Sequence, residues 1–218
     1  PADAVPGKLS AIVGYGAALH RCESTLAARE AACDTMQRHT GATLVHPYED
    51  ARVIAGQGTA VLELLATSGP LDTVVVPVGG GGLAAGTAIA LGGRAPGTRL
   101  VLAEPAGADD AARSLATGQR VTDVVPDTVC DGLRATIGRP NFEILRAAGV
   151  EVVTVDDDAV LAAMRLVWQR MKQLVEPSAA VALAAVLASP QRFAGQRVGV
   201  ILSGGNADLA ALVRAGRA

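Results

Sequence analysis

The chain has 218 residues, which is enough for one large domain with a sizeable buried core. Hydrophobic residues make up 50% of it but aromatic ones only 2%, and this Ala-, Val- and Leu-rich composition suits tightly packed α/β layers. The formal net charge is −2 and no basic stretch stands out, which argues against nucleic acid or an anionic membrane as a partner.

Targeting and anchoring signals are not evident. No uninterrupted apolar stretch reaches membrane-spanning length, and residues 1–8 lack the apolar core of a signal peptide. Three cysteines, Cys22, Cys33 and Cys130, share no metal-ligand spacing and are most simply free thiols. Free thiols are typical of a reducing compartment, so we expect a cytoplasmic protein.

Apolar periodicity and turn residues predict an alternation of strands and helices. Helices are expected at residues 8–16, 24–39 (capped by Ser24), 51–66, 83–91, 108–117, 156–174, 177–188 and from about Ala207. Strands are expected at residues 18–21, 43–46, 73–78, 99–104, 152–155 and 198–202, with a long mixed connection at 118–140. Strands followed by helical crossovers predict an α/β fold with a doubly wound parallel sheet. A seam at Gly41 would divide a partial small domain, residues 1–41, from a large domain, residues 42–218.

Four consecutive glycines, Gly79–Gly82, connect a β-branched strand to an Ala-rich helix. Without a Cβ, the backbone can bring several N–H groups around one anion, and the N-terminus of the following helix adds its own free amides. This pattern predicts a phosphate cradle. The alternative is an ordinary glycine-rich turn, for which one or two glycines would suffice.

Two further strand ends carry polar groups, and open α/β sheets bind their ligands at such ends. Ser203–Asn206 is a second glycine turn, which begins with a hydroxyl group. Glu104 and Asp110 flank the carbonyl of Ala108, an oxygen set that suits Mg²⁺ or Ca²⁺. The alternative for Asp109 and Asp110 is N-terminal capping of the next helix.

Together these motifs resemble the fold-type II pyridoxal-phosphate enzymes, in particular the threonine dehydratase and serine racemase group. The resemblance runs nearly end to end, and its motifs are Tyr15-Gly16-Ala17, His46-Pro47-Tyr48, Ile54-Ala55-Gly56-Gln57-Gly58-Thr59, Pro77-Val78-Gly79-Gly80-Gly81-Gly82-Leu83, Asp131-Gly132, Glu176-Pro177-Ser178 and Ser203-Gly204-Gly205-Asn206. The tetraglycine loop followed by the Ser-Gly-Gly-Asn turn, in this order, is the most specific part.

The resemblance implies a role for each of these positions. The cofactor would be pyridoxal 5'-phosphate, with its phosphate on Gly79, Gly80, Gly81, Gly82 and Leu83. Ser203 would face the pyridine nitrogen, Gly132 and Glu176 would form pocket walls, and Tyr48 would lie near the ring edge. A neutral hydroxyl at the ring nitrogen favours β-elimination or racemisation over transamination.

The resemblance also extends to metal, substrate and assembly. Glu104, Ala108 and Asp110 resemble a divalent-metal site of the family, which makes Mg²⁺ or Ca²⁺ at least an equal alternative to capping. Arg29 stands where the racemase subgroup carries an arginine for the substrate carboxylate, although a solvated arginine on a helix surface is an equal alternative. The partner would be a small hydroxy amino acid, and family habit favours a homo-oligomer.

One departure limits these expectations. The family holds its cofactor on a lysine in a Ser-Phe-Lys type motif and grips substrate with a Ser-Ser-Gly-Asn-His type loop. Neither motif occurs here, and the only lysines, Lys8 and Lys172, match non-catalytic positions. No catalytic residue is therefore assigned, and the chain resembles a family member truncated at its N-terminus. Alone it is expected to be inactive.

Three interpretations remain open. The first is the C-terminal portion of a threonine or serine dehydratase that is complemented by an N-terminal segment, with serine racemisation or 3-hydroxyaspartate dehydration as competing activities. The second is a non-catalytic homologue that binds pyridoxal phosphate or a metal. The third is a nicotinamide-binding protein, since Gly79-x-Gly81-x-x-Ala84 satisfies a loose dinucleotide fingerprint. This third interpretation leaves the Ser203–Asn206 turn unexplained.

Overall fold

A computed structural model describes residues 1–207 of the chain. These residues fall into two compact units, one containing Pro1–Val45 and the other His46–Gly205. The helix expected from about Ala207 lies outside the described residues. Of the helices that are described, none combines the length and hydropathy needed to cross a membrane.

The first unit contains helices α1 (Pro6–Gly14) and α2 (Leu26–Thr40). The strands expected at residues 18–21 and 43–46 are wrong, because both segments are irregular. A strand needs a neighbouring backbone to complete its ladder, and neither segment has one among the residues described.

The start of α2 also differs from the expectation. Its N-cap is Thr25, whose hydroxyl accepts a hydrogen bond from the Ala28 N–H at 3.1 Å. Ser24 instead accepts from the Asp3 N–H at 3.2 Å. At its other end, α2 stops at Gly41, which adopts the left-handed conformation (φ +69°) that favours glycine.

The second unit is built on one parallel sheet, which confirms the predicted α/β fold. Its strands are β1 (Thr73–Pro77), β2 (Arg99–Pro105), β3 (Glu151–Val155) and β4 (Val198–Val200), in the order β3-β2-β1-β4. Its helices are α3 (Ala51–Ser68), α4 (Gly82–Arg94), α5 (Asp110–Thr117), α6 (Arg139–Ala147), α7 (Asp157–Met171), α8 (Pro177–Ala188) and the short α9 (Pro190–Phe193).

Both faces of the sheet are buried at its two central strands, β1 and β2. Val74 and Val76 pack in one apolar cluster with side chains of α3, α4 and α6. Val75 and Val101 are also fully buried, and strand alternation directs them to the opposite face. Helix α8, whose N-terminal half is fully buried, contacts β1, β2 and β3. Parallel strands buried on both faces account for the continuous Val-rich runs of the sequence.

Helix α6 lies in a region for which the sequence analysis predicted no helix. Its buried side chains, Asn141, Phe142 and Leu145, recur at helical spacing. The segment was missed because the helix is only 9 residues long and opens with Gly138-Arg139-Pro140, a run that resembles a turn. A proline in the first helical turn is nevertheless favourable, because its missing N–H would have had no partner there.

Helices α3 and α4 approach each other backbone to backbone. A Cβ on Gly86 would lie 2.3 Å from the Ile54 oxygen and 2.7 Å from the Gly58 nitrogen. A Cβ on Gly58 would in turn lie 2.7 Å from the Gly86 oxygen. These backbone atoms cannot move aside as a flexible side chain can, so the close packing of α3 on α4 requires both glycines.

We predict that Gly86→Ala lowers the free energy of unfolding by about 1–3 kcal/mol, because the added methyl group overpacks the contact between α3 and α4. Gly92→Ala on the same helix is the control, since no atom lies within 4 Å of its Cβ position. The control is expected to be neutral or to stabilise by up to about 1 kcal/mol. Urea unfolding measures both; equal midpoints for the two variants would contradict the packing argument.

Candidate functional site

The glycine loop Gly79–Gly82 lies at the carboxyl end of β1, and all four residues are buried. The hydrogen bonds among the described residues do not use the N–H groups of this loop. Buried amides normally have an acceptor, and leaving one unpaired costs roughly 1–3 kcal/mol. The loop therefore presents a group of buried donors that fits an anionic ligand.

Neighbouring side chains occupy the space that side chains of the loop would need. A Cβ on Gly80 would lie 2.4 Å from ring atoms of Tyr48. A Cβ on Gly81 would lie 2.9 Å from Asn141 Cβ, and Gly81 also has a positive φ of +88°. The packing of the protein alone therefore requires glycine at Gly80 and Gly81, whether or not a ligand binds to the loop.

Asn141, which the sequence analysis did not identify, holds the loop from the side of α6. Its Nδ2 donates to the Gly80 oxygen at 2.6 Å and to the Tyr48 oxygen at 2.8 Å. The Gly138 N–H donates to the same Gly80 oxygen at 3.0 Å. Asn141 is fully buried. No sequence signal marked it, because the helix that carries it was not predicted.

Tyr48 packs over the loop from a tight turn that His46 organises. The Nδ1 atom of His46 accepts hydrogen bonds from the N–H of Tyr48 at 3.4 Å and of Glu49 at 3.0 Å. The two rings meet edge to face with centroids 4.6 Å apart. The ring of Tyr48 therefore lies directly against the glycine loop at Gly80.

A short 3₁₀ turn, Asp131–Leu133, borders the other side of the loop. A Cβ on Gly79 would lie 2.9 Å from Leu133 Cα. The Gly132 N–H donates to the hydroxyl of Ser178 at 2.9 Å, and Ser178 is 5% exposed. A Cβ on Gly132 would come within 3.7 Å of Glu176 Oε1.

Glu176 connects this turn to the second glycine turn. The Glu176 N–H donates to the Gly204 oxygen at 3.1 Å, and a Cβ on Gly204 would lie 2.6 Å from Glu176 Oε1. Ser203 is exposed. Because β1 and β4 are adjacent, with Val75 opposite Val200, Ser203 follows β4 at the same edge at which the glycine loop follows β1.

The expected cofactor residues are thus brought together around one edge of the sheet. Leu83 lies half-buried in the first turn of α4, next to the loop. Arg29 does not belong to this unit; it is half-buried on α2. Lys172 ends α7 with a left-handed φ of +58°, is exposed and donates to the Gln169 oxygen.

The expected metal residues form a buried carboxyl pair. Glu104 is fully buried, and its two oxygens accept from the N–H groups of Ala111 and Ala112, each at 2.8 Å. Asp110 is 2% exposed and accepts from the Ile137 N–H at 2.7 Å. Asp109 occupies the N-cap position of α5, but its side chain makes no capping hydrogen bond; the Glu104 carboxyl accepts from the first-turn N–H groups instead.

Burial raises the pKa of both carboxyl groups. The pKa of Glu104 rises to about 8, chiefly through desolvation and partly through the nearby Asp110 charge. The pKa of Asp110 rises to about 6, again chiefly through desolvation. Protonation or a cation would relieve this cost. Within residues 1–207, no cluster of three or more His, Cys, Asp or Glu residues could hold a metal, so an ion here would also need carbonyl or water oxygens.

Comparison with known proteins places this arrangement in a family. The model of the family described as "Pyridoxal-phosphate dependent enzyme" matches residues 1–204. The chain is 44% identical to serine racemase of Dictyostelium discoideum over 218 residues, 97% of this chain and 67% of that protein. It is 43% identical to beta-hydroxyaspartate dehydratase of Paracoccus denitrificans over 209 residues, 96% of this chain and 66% of that protein.

A solved structure shares the fold. The crystal structure of a threonine deaminase from T.th. superposes with a TM-score of 0.89 at 43% identity, covering 94% of this chain and 68% of the other. The chain thus spans about two thirds of the length of the relatives it matches. From the extent of the family match and these identities, the chain belongs to the pyridoxal-phosphate dependent enzymes.

Proposed function

We propose that this chain forms the cofactor-binding part of an enzyme that eliminates water and ammonia from a small hydroxy amino acid, L-threonine or L-serine. The observation that carries the proposal is the group of buried amides at Gly79–Gly82, which have no hydrogen-bond acceptor within residues 1–207 and lie on the same sheet edge as the Ser203 turn. Serine racemase, threonine deaminase and beta-hydroxyaspartate dehydratase are all similar to this chain.

In this proposal, each part of the site has one task. The amides of Gly79–Gly82 bind the phosphate, and the positive end of the α4 dipole adds to the attraction. The Ser203 hydroxyl contacts the pyridine nitrogen without fully protonating it, while Gly132 and Glu176 line the ring pocket and Tyr48 its edge. Pyridoxal phosphate, when bound, supplies the electron sink for the reaction. Arg29 would bind the substrate carboxylate.

Serine racemisation and 3-hydroxyaspartate dehydration are the second candidates. The 44% identity to a serine racemase and the 43% identity to a hydroxyaspartate dehydratase support them. All three reactions begin with removal of the Cα proton, so a shared cofactor site does not separate them. Product analysis does, because elimination gives a keto acid and racemisation gives a D-amino acid.

A divalent cation, Mg²⁺ or Ca²⁺, is the second proposed ligand. The buried pair of Glu104 and Asp110 supplies oxygen ligands, and the Ala108 carbonyl lies between them in sequence. Hard cations prefer such oxygens and complete their shell with water. In this position the ion would stabilise the start of α5, next to the sheet edge that carries the cofactor residues.

The proposal also covers the domain division, self-association and cellular location of the protein. We propose that residues 1–41 and 42–218 are the small domain and the cofactor-binding large domain. Self-association would cover exposed apolar side chains such as Val125 (90% exposed) and Leu174 (61%). The free thiols of Cys22, Cys33 and Cys130 favour the cytoplasm.

Turnover provides the test of the proposed reaction. The only lysines, Lys8 and Lys172, do not lie in a Ser-Phe-Lys type motif, so we predict that the 218-residue chain with pyridoxal phosphate yields no keto acid above free cofactor. Adding a separately expressed segment with the family's Ser-Phe-Lys type lysine should restore keto acid formation from L-threonine or L-serine. D-serine as the main product would favour racemisation. Turnover by the unsupplemented chain that Lys172→Ala abolishes would contradict the lysine assignment.

Cofactor affinity tests the phosphate cradle. Gly81→Ala puts a Cβ at a φ of +88°, 2.9 Å from Asn141 Cβ, and should lower the affinity for pyridoxal phosphate at least about tenfold. Gly118→Ala is the matched control, because Gly118 has a φ of +72° with nothing within 4 Å of its Cβ position. Calorimetric titration measures both. Equal losses in the two variants would mean that backbone strain, not the cradle, sets the affinity.

Thermal unfolding with Mg²⁺ tests the metal site. Without a cation, the raised pKa values near 8 (Glu104) and 6 (Asp110) mean that these groups favour folding when protonated. Their contribution falls as pH rises through 6 and then 8. Mg²⁺ should therefore raise the Tm more at a pH of about 9 than at about 5, where protons compete for the site.

The matched variants for this test are Asp110→Asn and Asp109→Asn. Asp110→Asn keeps an acceptor for the Ile137 N–H but removes the charge, so most of the Mg²⁺ shift should disappear. Asp109 is half-buried and its oxygen accepts from Arg113 at 3.4 Å, so Asp109→Asn should retain the shift. A shift that is the same in both variants, or that does not depend on pH, would contradict the site.

A further inference from the structure

We propose that Asn141 is the positioning residue of the phosphate cradle: by holding the Gly80 carbonyl, it aims the Gly81 N–H into the site. The inference rests on the proposed function, because it assigns a task to a residue behind the proposed phosphate-binding loop. Asn141 itself faces protein on the α6 side of the loop and binds the backbone of Gly80 and Tyr48.

The argument begins with the Gly80 carbonyl. It accepts two hydrogen bonds from α6 and its lead-in, one from Asn141 Nδ2 at 2.6 Å and one from the Gly138 N–H at 3.0 Å. Two donors on one carbonyl use both of its lone pairs and fix its direction. The Gly80 carbonyl therefore points toward α6.

Peptide geometry transmits this direction to the next amide. The chain has no cis peptide bond in its described residues, so the Gly80–Gly81 peptide is trans and planar. In a trans peptide the C=O and the following N–H point in opposite directions. With the Gly80 oxygen held against α6, the Gly81 N–H must point away from α6, and no described residue accepts a hydrogen bond from it.

Glycine would otherwise leave this peptide free to rotate. Gly81 has a φ of +88°, which only a glycine adopts at little cost, and the residues on both sides of it are also glycines. A run of glycines has more conformational freedom than any other sequence, so a preformed cradle needs an external restraint. The side chain of Asn141 and the N–H of Gly138 supply that restraint.

The hydrogen bonding of Asn141 also argues against a purely structural role. Its Oδ1 atom is buried and has no hydrogen-bond partner within residues 1–207. An unpaired buried oxygen destabilises the folded state, and an apolar side chain of similar size would avoid this penalty. Neighbouring Phe142 and Leu145 already anchor α6 in the apolar cluster. The useful property of Asn141 is thus its pair of N–H donors.

The test uses the full chain with Asn141→Leu and Asn141→Ala, neither of which can donate. Each variant is titrated calorimetrically with pyridoxal 5'-phosphate and with pyridoxal, which lacks the phosphate. We expect the preference for the phosphorylated ligand to fall at least about tenfold, with the affinity for pyridoxal nearly unchanged. Leu145→Ala is the control, because it removes a buried apolar side chain of the same helix that cannot hydrogen-bond to the loop; it should lower stability and leave the preference intact.

A second readout needs no ligand. The carbonyl ¹³C shift of Gly80 reports its hydrogen bonding, and it should change in both Asn141 variants but not in Leu145→Ala. Folded Asn141 variants with an unchanged ligand preference would overturn the proposal, and so would failure of both variants to fold, since that would assign Asn141 a structural role. If instead the proposed function were wrong, the unmodified chain would itself show no preference for pyridoxal phosphate over pyridoxal.

Discussion

The hydrogen bonds that hold the Gly80 carbonyl against α6 connect the glycine loop to Tyr48 and to the chain that leads into α6. They fix a loop of four glycines that would otherwise be conformationally free. The same Asn141 amide binds the carbonyl of Tyr48, whose ring covers the loop. Asn141 is carried by α6, which packs on α4 and α5 and is anchored in the apolar cluster by Phe142 and Leu145, so its amide reaches the loop from a helix that the core already holds in place.

The buried carboxyl group of Asp110 is linked to the glycine loop through two consecutive residues, Ile137 and Gly138. Asp110 accepts from the Ile137 N–H at 2.7 Å, and the next residue, Gly138, donates to the Gly80 oxygen. A Cβ on Gly81 would lie 3.3 Å from the Ile137 side chain. A change in charge at Asp110 would thus act on backbone that contacts the glycine loop directly.

Sequence patterns predicted the parts of this molecule that local chemistry determines. The Val-rich β1 strand, the glycine loop and the order of strands and helices in the second unit follow from periodicity and turn residues. The prediction of strands at residues 18–21 and 43–46 was wrong, because a strand needs a partner strand and no local sequence pattern shows whether one is present. Helix α6 was missed because it is short and opens with the turn-like run Gly138-Arg139-Pro140, and Asn141 because its hydrogen-bond partner Gly80 lies 61 residues away in sequence.

The central claim is that the amides of Gly79–Gly82 bind a phosphate group. Backbone ¹H–¹⁵N spectra of the chain, recorded while pyridoxal phosphate is added, test it most directly. The account predicts that the four loop glycines show the largest shifts, and that inorganic phosphate reproduces these shifts while the Ser203 and Gly132 resonances respond only to the complete cofactor. Large shifts elsewhere with none at the four glycines would contradict it.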